Sequence, residues 1–200
     1  MIRVMVVEDQ ALVRGAISAL LSLDRDIEVV AEAADGLEAI KHLSVVTPDI
    51  VLTDIEMPNM TGLELLEYIQ KKEGQCHTVI MTTFSRSGYI RRSMDSGARG
   101  FVLKEAPSEY LISTLKKVIC GQRVIDPELA LTALDEKDPL SSKERKALRL
   151  ASEGYKTAEI ANTLFLSEGT VRNYLSDAIA KLNATNRIDA ARIAQQKGWL

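Results

Sequence analysis

The sequence predicts an α/β chain in which a doubly wound, parallel five-stranded domain is followed by a small all-α domain. Over residues 1–121, short apolar runs alternate with stretches of helical periodicity, the pattern of a parallel sheet covered by helices on both faces. From residue 139 onward only helical periodicity remains. A length of 200 residues leaves room for two small domains, each with its own core.

The five predicted strands are short, β-branched or apolar, and each ends in polar or turn residues. They are Ile2–Val7, Val29–Glu32, Ile50–Thr53, Val79–Thr82 and Gly100–Leu103.

Helices are predicted between the strands and after the last one. Apolar residues recur at helical spacing over Leu12–Leu21 and Leu111–Ile119, so these are the first and last helices of the domain. Asp35 and Thr61 each precede a glutamate by three residues, which indicates a capped helix start. We therefore expect five helices to cover the sheet.

Gly121 is predicted to stop the last of these helices and to end the first domain at residue 121. Residues 122–138 are polar and acidic and contain a proline, so we predict a linker, with one short helix around Glu128–Leu134.

The second domain is predicted to span residues 139–200. Ser141 opens a capping box before the first of its helices. Two helices, Thr157–Leu164 and Thr170–Leu182, are separated by a tight turn, and Ile188–Gln196 is the last helix.

Composition and charge narrow the classes of function. The net charge of −3 divides into −4 over residues 1–121, −3 over residues 122–138 and +4 over residues 139–200, so a phosphate backbone would be attracted to the second domain. The two cysteines, Cys76 and Cys120, are predicted to be buried, small hydrophobic residues in a reducing cytosol. The sequence has no apolar run of membrane-spanning length, so we expect a cytoplasmic protein without a membrane partner.

Polar residues follow the carboxyl ends of four predicted strands, where ligands of an open parallel sheet bind. Glu8 and Asp9 follow the first strand, Asp54 the third, while Thr82 ends the fourth and Lys104 follows the fifth. Three converging carboxylates repel one another unless a cation lies among them, and oxygen ligands of this kind suit Mg²⁺. Asp54 is therefore a candidate phosphoryl acceptor, and Lys104 and Thr82 are candidates to bind the phosphoryl oxygens. The alternative is an ordinary set of strand ends with no common role.

This ordered set resembles the response-regulator receiver domain, a flavodoxin-like fold, over residues 1–121. The matching segments are Val6–Asp9, Thr53–Pro58, Met81–Thr83 and Gly100–Lys104. The resemblance implies that a histidine kinase phosphorylates Asp54 and that the main-chain carbonyl of Glu56 joins Glu8, Asp9 and Asp54 in the metal site. It also implies that Thr82 and Phe101 are a switch pair.

Two residues near the predicted site are noted beside this resemblance: one departs from the family pattern and one is a further candidate. The sequence departs from many receivers at Glu105, where they place a proline. Phe84, two residues past Thr82, is a candidate to shield the phosphoryl group from water.

The basic domain contains a candidate nucleic-acid interface. Arg172, Asn173 and Ser176 share one face of the helix after the tight turn, with Tyr174 and Lys181 beside it. Such a face can read base edges from the major groove. The alternative is a generic helical hairpin whose apolar spacing only builds a core.

Three further residues complete the candidate DNA-binding set. Lys156 and Thr157 begin the preceding helix and are placed for phosphate contacts, and Thr170 lies in the first turn of the second helix.

Residues 139–200 resemble the LuxR/FixJ-type helix-turn-helix. The matching segments are Leu140–Glu144, Glu159–Ala161, Leu166–Arg172, Lys181–Leu182 and Asn186–Arg187. A receiver followed by this module is the NarL/FixJ architecture, which implies a homodimer on DNA. Among proteins of this architecture, the segments Thr82–Tyr89 and Lys197–Trp199 are most similar to those of regulators that control membrane-lipid desaturation.

The leading hypothesis is a transcription factor switched by phosphorylation, with Leu12–Leu21 and Leu111–Ile119 as candidate dimer faces and no enzymatic turnover. One alternative is an aspartyl-phosphate phosphatase of haloacid-dehalogenase type, because Asp54 is followed two residues later by an acid. The other alternative is a receiver-led scaffold that binds protein rather than DNA.

Overall fold

A single parallel sheet organises the first part of the structure, a computed structural model that describes residues 1–72, 76–83, 87–127, 129–130 and 138–200. Within those residues the sheet has six strands: β1 (Ile2–Val7), β2 (Ile27–Ala33), β3 (Ile50–Asp54), β4 (His77–Thr82), β5 (Gly100–Leu103) and β6 (Val124–Ile125). Their order is β2-β1-β3-β4-β5-β6. The chain divides into two compact units, residues 1–85 with 89–133 and residues 86–88 with 134–200.

The order of the strands fixes where a ligand can bind. The chain moves from β1 to β2 on one side and then returns to place β3 on the other side of β1. Helices that leave β1 and β3 therefore lie on opposite faces and open a crevice at the carboxyl ends of these two strands.

The α/β prediction with a parallel sheet is confirmed, and the structure adds a sixth strand to the five predicted. Val124 and Ile125 pair with Gly100 and Phe101 of β5, inside the stretch 122–138 predicted to be a linker. Two apolar residues are too few to show a period along the sequence, so only the sheet edge beside them reveals the strand.

Helices connect the strands. They are α1 (Ala11–Leu21), α2 (Gly36–Leu43), α3 (Gly62–Lys71), α4 (Ser87–Asp95) and α5 (Ser108–Ile119). Asp35 accepts a hydrogen bond from the Glu38 main-chain N–H, and Thr61 forms a capping box with Glu64, so both predicted caps are confirmed.

Two predictions fall largely outside the described residues. Phe84 is outside them, and so is most of the short helix predicted around Glu128–Leu134. Of that helix, Leu129 is described and is wholly buried in a core cluster with Ile80 and Phe101.

Alternate residues of the strands build a core on each face of the sheet. Val4, Ile50 and Val102 pack with α1 and α5 on one face, whereas Met5 and Val51 pack with α2 and α3 on the other. Because both faces are covered, residues 4–7, 50–52 and 79–81 of the central strands are apolar and almost wholly buried.

The second unit is helical, as predicted. It contains α6 (Ser142–Ser152), α7 (Thr157–Leu164), α8 (Glu168–Lys181) and α9 (Arg187–Gln196) around one apolar cluster. Ser141 and Glu144 form the predicted capping box, and Gly154, with a φ of +94°, follows the end of α6. Phe165 takes the left-handed conformation at the end of α7, which turns the chain sharply into α8.

Candidate functional site

Three carboxylates meet at the carboxyl ends of β1 and β3. Glu8, Asp9 and Asp54 each offer an oxygen, and these atoms all lie within 4.8 Å of one another. Glu8 is fully buried and Asp54 is 8% exposed. The parallel strands β1 and β3 are direct neighbours, so the residues that follow or end them are brought together by the sheet itself.

The ammonium group of Lys104 closes this cluster from β5. Its Nζ lies 2.7 Å from Glu8 Oε2 and 2.9 Å from Asp54 Oδ2. Burial lowers the pKa of Lys104, but the two carboxylates outweigh burial and raise the pKa above its ordinary value. Lys104 therefore stays charged at neutral pH and offsets part of the negative charge of the cluster.

Glu8 has the opposite balance. Burial raises the pKa of its carboxyl, and the neighbouring charge of Asp54 adds to the rise, although Lys104 opposes both. The ionised form of Glu8 would be stabilised by a second positive charge besides Lys104. Its carboxylate is therefore favourably placed to bind a cation.

Both carboxylate oxygens of Asp54 have a partner. Its Oδ1 accepts a hydrogen bond of 2.7 Å from the Ile55 N–H, and its Oδ2 is the atom paired with Lys104. Gly62 packs directly against its main chain, because a Cβ at Gly62 would lie 1.9 Å from the Asp54 carbonyl oxygen.

The remaining residues predicted for this site lie at the same edge of the sheet. Thr82 is the last residue of β4, which pairs with β3 in register at Asp54 and Met81. Glu56 is exposed in the loop after β3, and Phe101 is fully buried in β5. The structure thus brings the side chains of Glu8, Asp9, Asp54 and Lys104 together.

Arg14 is a residue of this region that the sequence analysis did not identify. Its Nη1 donates a hydrogen bond of 2.6 Å to the Glu8 carbonyl oxygen, and its Nε lies 3.5 Å from Glu32. The signal available in the sequence was the single charged residue of the first helix, six residues after Glu8.

A groove opens between α1 and α5 beside the acidic cluster. Its volume is about 390 Å³, and apolar side chains line most of it, with Lys104 in one wall. Leu12, also in its lining, is 87% exposed.

In the second unit, α7 and α8 form a helix-turn-helix. Ser167 caps α8 by accepting a hydrogen bond from the Thr170 N–H. Val171 and Leu175 of α8 are buried in the core, which leaves the opposite side of the helix to solvent.

The exposed side of α8 carries Arg172, Asn173 and Ser176 together, as predicted from helical spacing. Arg172 is 67% exposed, so its guanidinium is accessible to a partner. It pairs with Glu168 Oε2 at 3.7 Å, and its Nε donates a hydrogen bond of 3.4 Å to the Glu168 carbonyl oxygen. Thr170 is half-buried near the start of the same helix.

The other predicted DNA-contact residues are placed differently. Lys156 and Thr157 begin α7, with Lys156 exposed and Thr157 half-buried, whereas Tyr174 is half-buried against the apolar core. Lys181, the predicted contact beside this face, has its Nζ 2.8 Å and 2.9 Å from the two carboxylate oxygens of Glu144, and its side chain is 41% exposed. That ion pair joins α8 to α6.

Among the described residues, no helix combines the length and the apolar character that crossing a lipid bilayer requires.

Family models match both units of the chain. Residues 4–116 match the response regulator receiver domain, and residues 138–194 match the bacterial regulatory proteins of the luxR family. The chain belongs to the response regulators that join a receiver to a LuxR-type DNA-binding domain. Transcriptional regulatory protein DesR of Bacillus subtilis (strain 168) is 40% identical over 199 residues, covering 100% of this chain and 99% of DesR.

A second relative is similar to the same degree. The uncharacterized transcriptional regulatory protein YvfU of Bacillus subtilis (strain 168) is 42% identical over 200 residues, covering 100% of both chains. DesR and YvfU thus match this chain about equally over its whole length.

Solved structures show the same architecture. The response regulator ChrA, from a heme-sensing two-component system, is 32% identical with a TM-score of 0.58, covering 100% of this chain and 98% of ChrA.

Proposed function

We propose that this response regulator is a phosphorylation switch for transcription. Asp54 accepts a phosphoryl group from a histidine kinase, and the phosphorylated chain forms a homodimer that binds a specific DNA site in the cytoplasm. The observation that carries the proposal is the Lys104 ammonium, 2.9 Å from Asp54 and 2.7 Å from Glu8. It brings a positive charge to the one aspartate that ends a central strand.

The donor set fits Mg²⁺, because three carboxylate oxygens can approach within 4.8 Å and hard oxygen ligands suit this ion. Glu8, Asp9, Asp54 and the Glu56 main-chain carbonyl would hold it. When bound, the ion supplies positive charge that neutralises the phosphoryl oxygens.

The residues of the chain then divide the work of transfer. The Asp54 carboxylate attacks phosphorus and forms an O–P bond, while the P–N bond to the kinase histidine breaks and the nitrogen leaves with the electron pair. Lys104 binds the transferred phosphoryl oxygens. Thr82 donates a hydrogen bond to them, and the movement of Thr82 is followed by the ring of Phe101.

The output is proposed to be sequence-specific DNA binding through α8. Arg172, Asn173 and Ser176 face solvent together and would read base edges, with Thr170 and Tyr174 beside them, while Lys156 and Thr157 would contact phosphates. Lys181, which pairs with Glu144 and keeps a side chain that is 41% exposed, is a further candidate contact.

The homodimer is proposed to form through the groove between α1 and α5. An exposed Leu12 at a groove on the same face suits an isologous interface, in which each copy inserts a side chain into the other. Two DNA-binding units on one site then bind far more tightly than one, through effective concentration.

Phosphate incorporation tests the chemistry directly. With an acyl phosphate donor and Mg²⁺, the wild-type protein is expected to take up one phosphoryl group, and Asp54→Ala none. Persistent labelling of Asp54→Ala would remove Asp54 from the role. Continuous turnover of a generic phosphomonoester would instead favour a haloacid-dehalogenase-type phosphatase.

The DNA-binding step needs a separate test. A gel-shift titration is expected to show binding that weakens steeply with salt. Phosphorylation without any DNA binding would favour a receiver-led scaffold.

A further inference from the structure

The loop that follows Asp54, residues 55–61, is called the acceptor loop here. If Glu56 contributes a main-chain carbonyl to the metal site, the direction of that carbonyl is set by the backbone of this loop and not by a side chain. The residues that fix the shape of the acceptor loop therefore bear on cation binding.

Two hydrogen bonds fix the inner end of the acceptor loop. The Ile55 N–H donates to Asp54 Oδ1 at 2.7 Å, and the Gly62 N–H donates to the Ile55 carbonyl oxygen at 2.9 Å. Both bonds lie beside Asp54, so they leave the outer part of the loop to be held by other contacts.

The outer part is held by the residues that begin α2. Asn59 Nδ2 donates a hydrogen bond of 2.6 Å to Asp35 Oδ2, and the Gly36 N–H donates to the Met60 carbonyl oxygen at 3.2 Å. The two segments are in close contact, because a Cβ on Gly36 would lie 2.7 Å from Met60 Cγ.

Asn59 and Asp35 are both suited to form their hydrogen bond, which is called the latch here. Asn59 has a φ of +61°, a left-handed conformation that asparagine tolerates better than most residues. Asp35 is itself fixed, since its Oδ1 accepts a hydrogen bond from the Glu38 N–H at the start of α2. The Glu38 N–H and then the Asn59 amide lower the pKa of Asp35, which keeps it a charged acceptor at neutral pH.

We propose that Asn59 is a positioning residue, which acts through Asp35 to hold the acceptor loop in the shape that presents the Glu56 carbonyl to the cation. The inference rests on the proposed function, because it assumes that Mg²⁺ binds beside Asp54. It assigns a role to two residues outside the acidic cluster.

The test is a Mg²⁺ titration of the full-length, unphosphorylated protein, followed by the amide resonances of the residues around Asp54. Asn59→Asp places two carboxylates against each other and breaks the latch, so the Kd for Mg²⁺ is expected to rise about tenfold. The added negative charge alone would lower that Kd, so the sign of the change separates the two effects.

A reciprocal exchange is the matched control. In the double variant D35N/N59D the donor and the acceptor trade places, the net charge equals that of the wild type, and an asparagine can still cap α2. We expect the Kd of the double variant for Mg²⁺ to lie within about twofold of the wild-type value. A Kd that stays about tenfold above the wild-type value, as in the single variant, would contradict the latch.

Asn59→Gly provides a second variant that keeps the left-handed backbone without the hydrogen bond. It is expected to weaken Mg²⁺ binding as Asn59→Asp does. Variants that lose thermal stability but bind Mg²⁺ as tightly as the wild type would overturn the inference and leave the proposed function intact. A wild-type protein that binds no Mg²⁺ would overturn both.

Discussion

At the scale of single residues, Gly62 illustrates how closely the backbone packs around the proposed phosphoryl acceptor. Gly62 is the first residue of α3, and the Asp54 carbonyl oxygen occupies the space where a Cβ would lie. Only a residue without a Cβ fits here, and the side chain of any other residue would push α3 away from β3.

We therefore predict that Gly62→Ala destabilises the receiver by about 2 kcal/mol or more, because the added methyl group overlaps main-chain atoms. Gly15→Ala is the matched control: nothing lies within 4 Å of a Cβ there, so alanine in the middle of α1 should stabilise by about 0.5–1 kcal/mol. Hydrogen exchange of the β3 amides measures both changes. Equal protection in the two variants would contradict the close approach.

Arg172 is the residue on which base recognition is proposed to depend most. Arg172→Ala should weaken binding to the specific site by about 1–3 kcal/mol more than binding to random DNA, because a bidentate base contact is lost. Arg192→Ala, which removes an exposed arginine paired with Asp189 on α9, is the control. Titration of both DNAs at one salt concentration gives the difference, and an equal loss on both would make Arg172 a phosphate contact.

At the scale of elements, the pair between Glu144 and Lys181 ties α6 to α8 in the helical unit. Burial alone would raise the pKa of Glu144, but the Lys181 ammonium and the hydrogen bonds from Ser141 outweigh it and lower the pKa. A lowered folded-state pKa means that the carboxylate contributes stability above its ordinary value of 4.5. That contribution is lost as the pH falls through the lower folded-state value.

Glu144→Gln should accordingly lower the free energy of unfolding of the helical unit at pH 7, and the difference should shrink below about pH 4. Trp199, the single tryptophan, is buried in the core of this unit, so its fluorescence reports the transition. Glu153→Gln, on an exposed carboxylate after the same helix, should stay within about 0.5 kcal/mol of the wild type. A difference for Glu144→Gln that persists at low pH would contradict an ionic origin.

The elements also show what the sequence could and could not predict. Long amphipathic helices have a period, and buried strands are short apolar runs between turn residues, so α1, α5, β1 and β5 could be located from the sequence. The strand Val124–Ile125 has no period to detect, and its place depends on the edge that β5 offers.

Side-chain pairs between distant elements could be predicted from the sequence only in part. The convergence of Asp54 and Lys104 follows from parallel strands and could be expected. The partner of Lys181 is 37 positions away on another helix, and that of Asn59 is 24 positions away, so neither follows from local spacing. The roles proposed for the acidic cluster and for the DNA contacts stay predictions.

At the scale of the whole molecule, charge separates the two parts of the chain. Residues 139–200 carry a net charge of +4, whereas residues 1–138 carry −7. If DNA binding uses Lys156 and Arg172 with their basic neighbours, the logarithm of the binding constant should fall linearly with the logarithm of salt concentration. Titrations at several salt concentrations measure the slope, and binding that is independent of salt would contradict a phosphate-directed interface.

The central claim is that a phosphoryl group on Asp54 changes how copies of the chain associate and how they bind DNA. Light scattering and a DNA titration on the same sample, with and without an acyl phosphate donor in Mg²⁺, test it most directly. We predict that the labelled protein doubles its mass and binds its site at least about tenfold more tightly, as linked binding units do. A protein that is fully labelled on Asp54, yet keeps its mass and its DNA affinity, would contradict the claim.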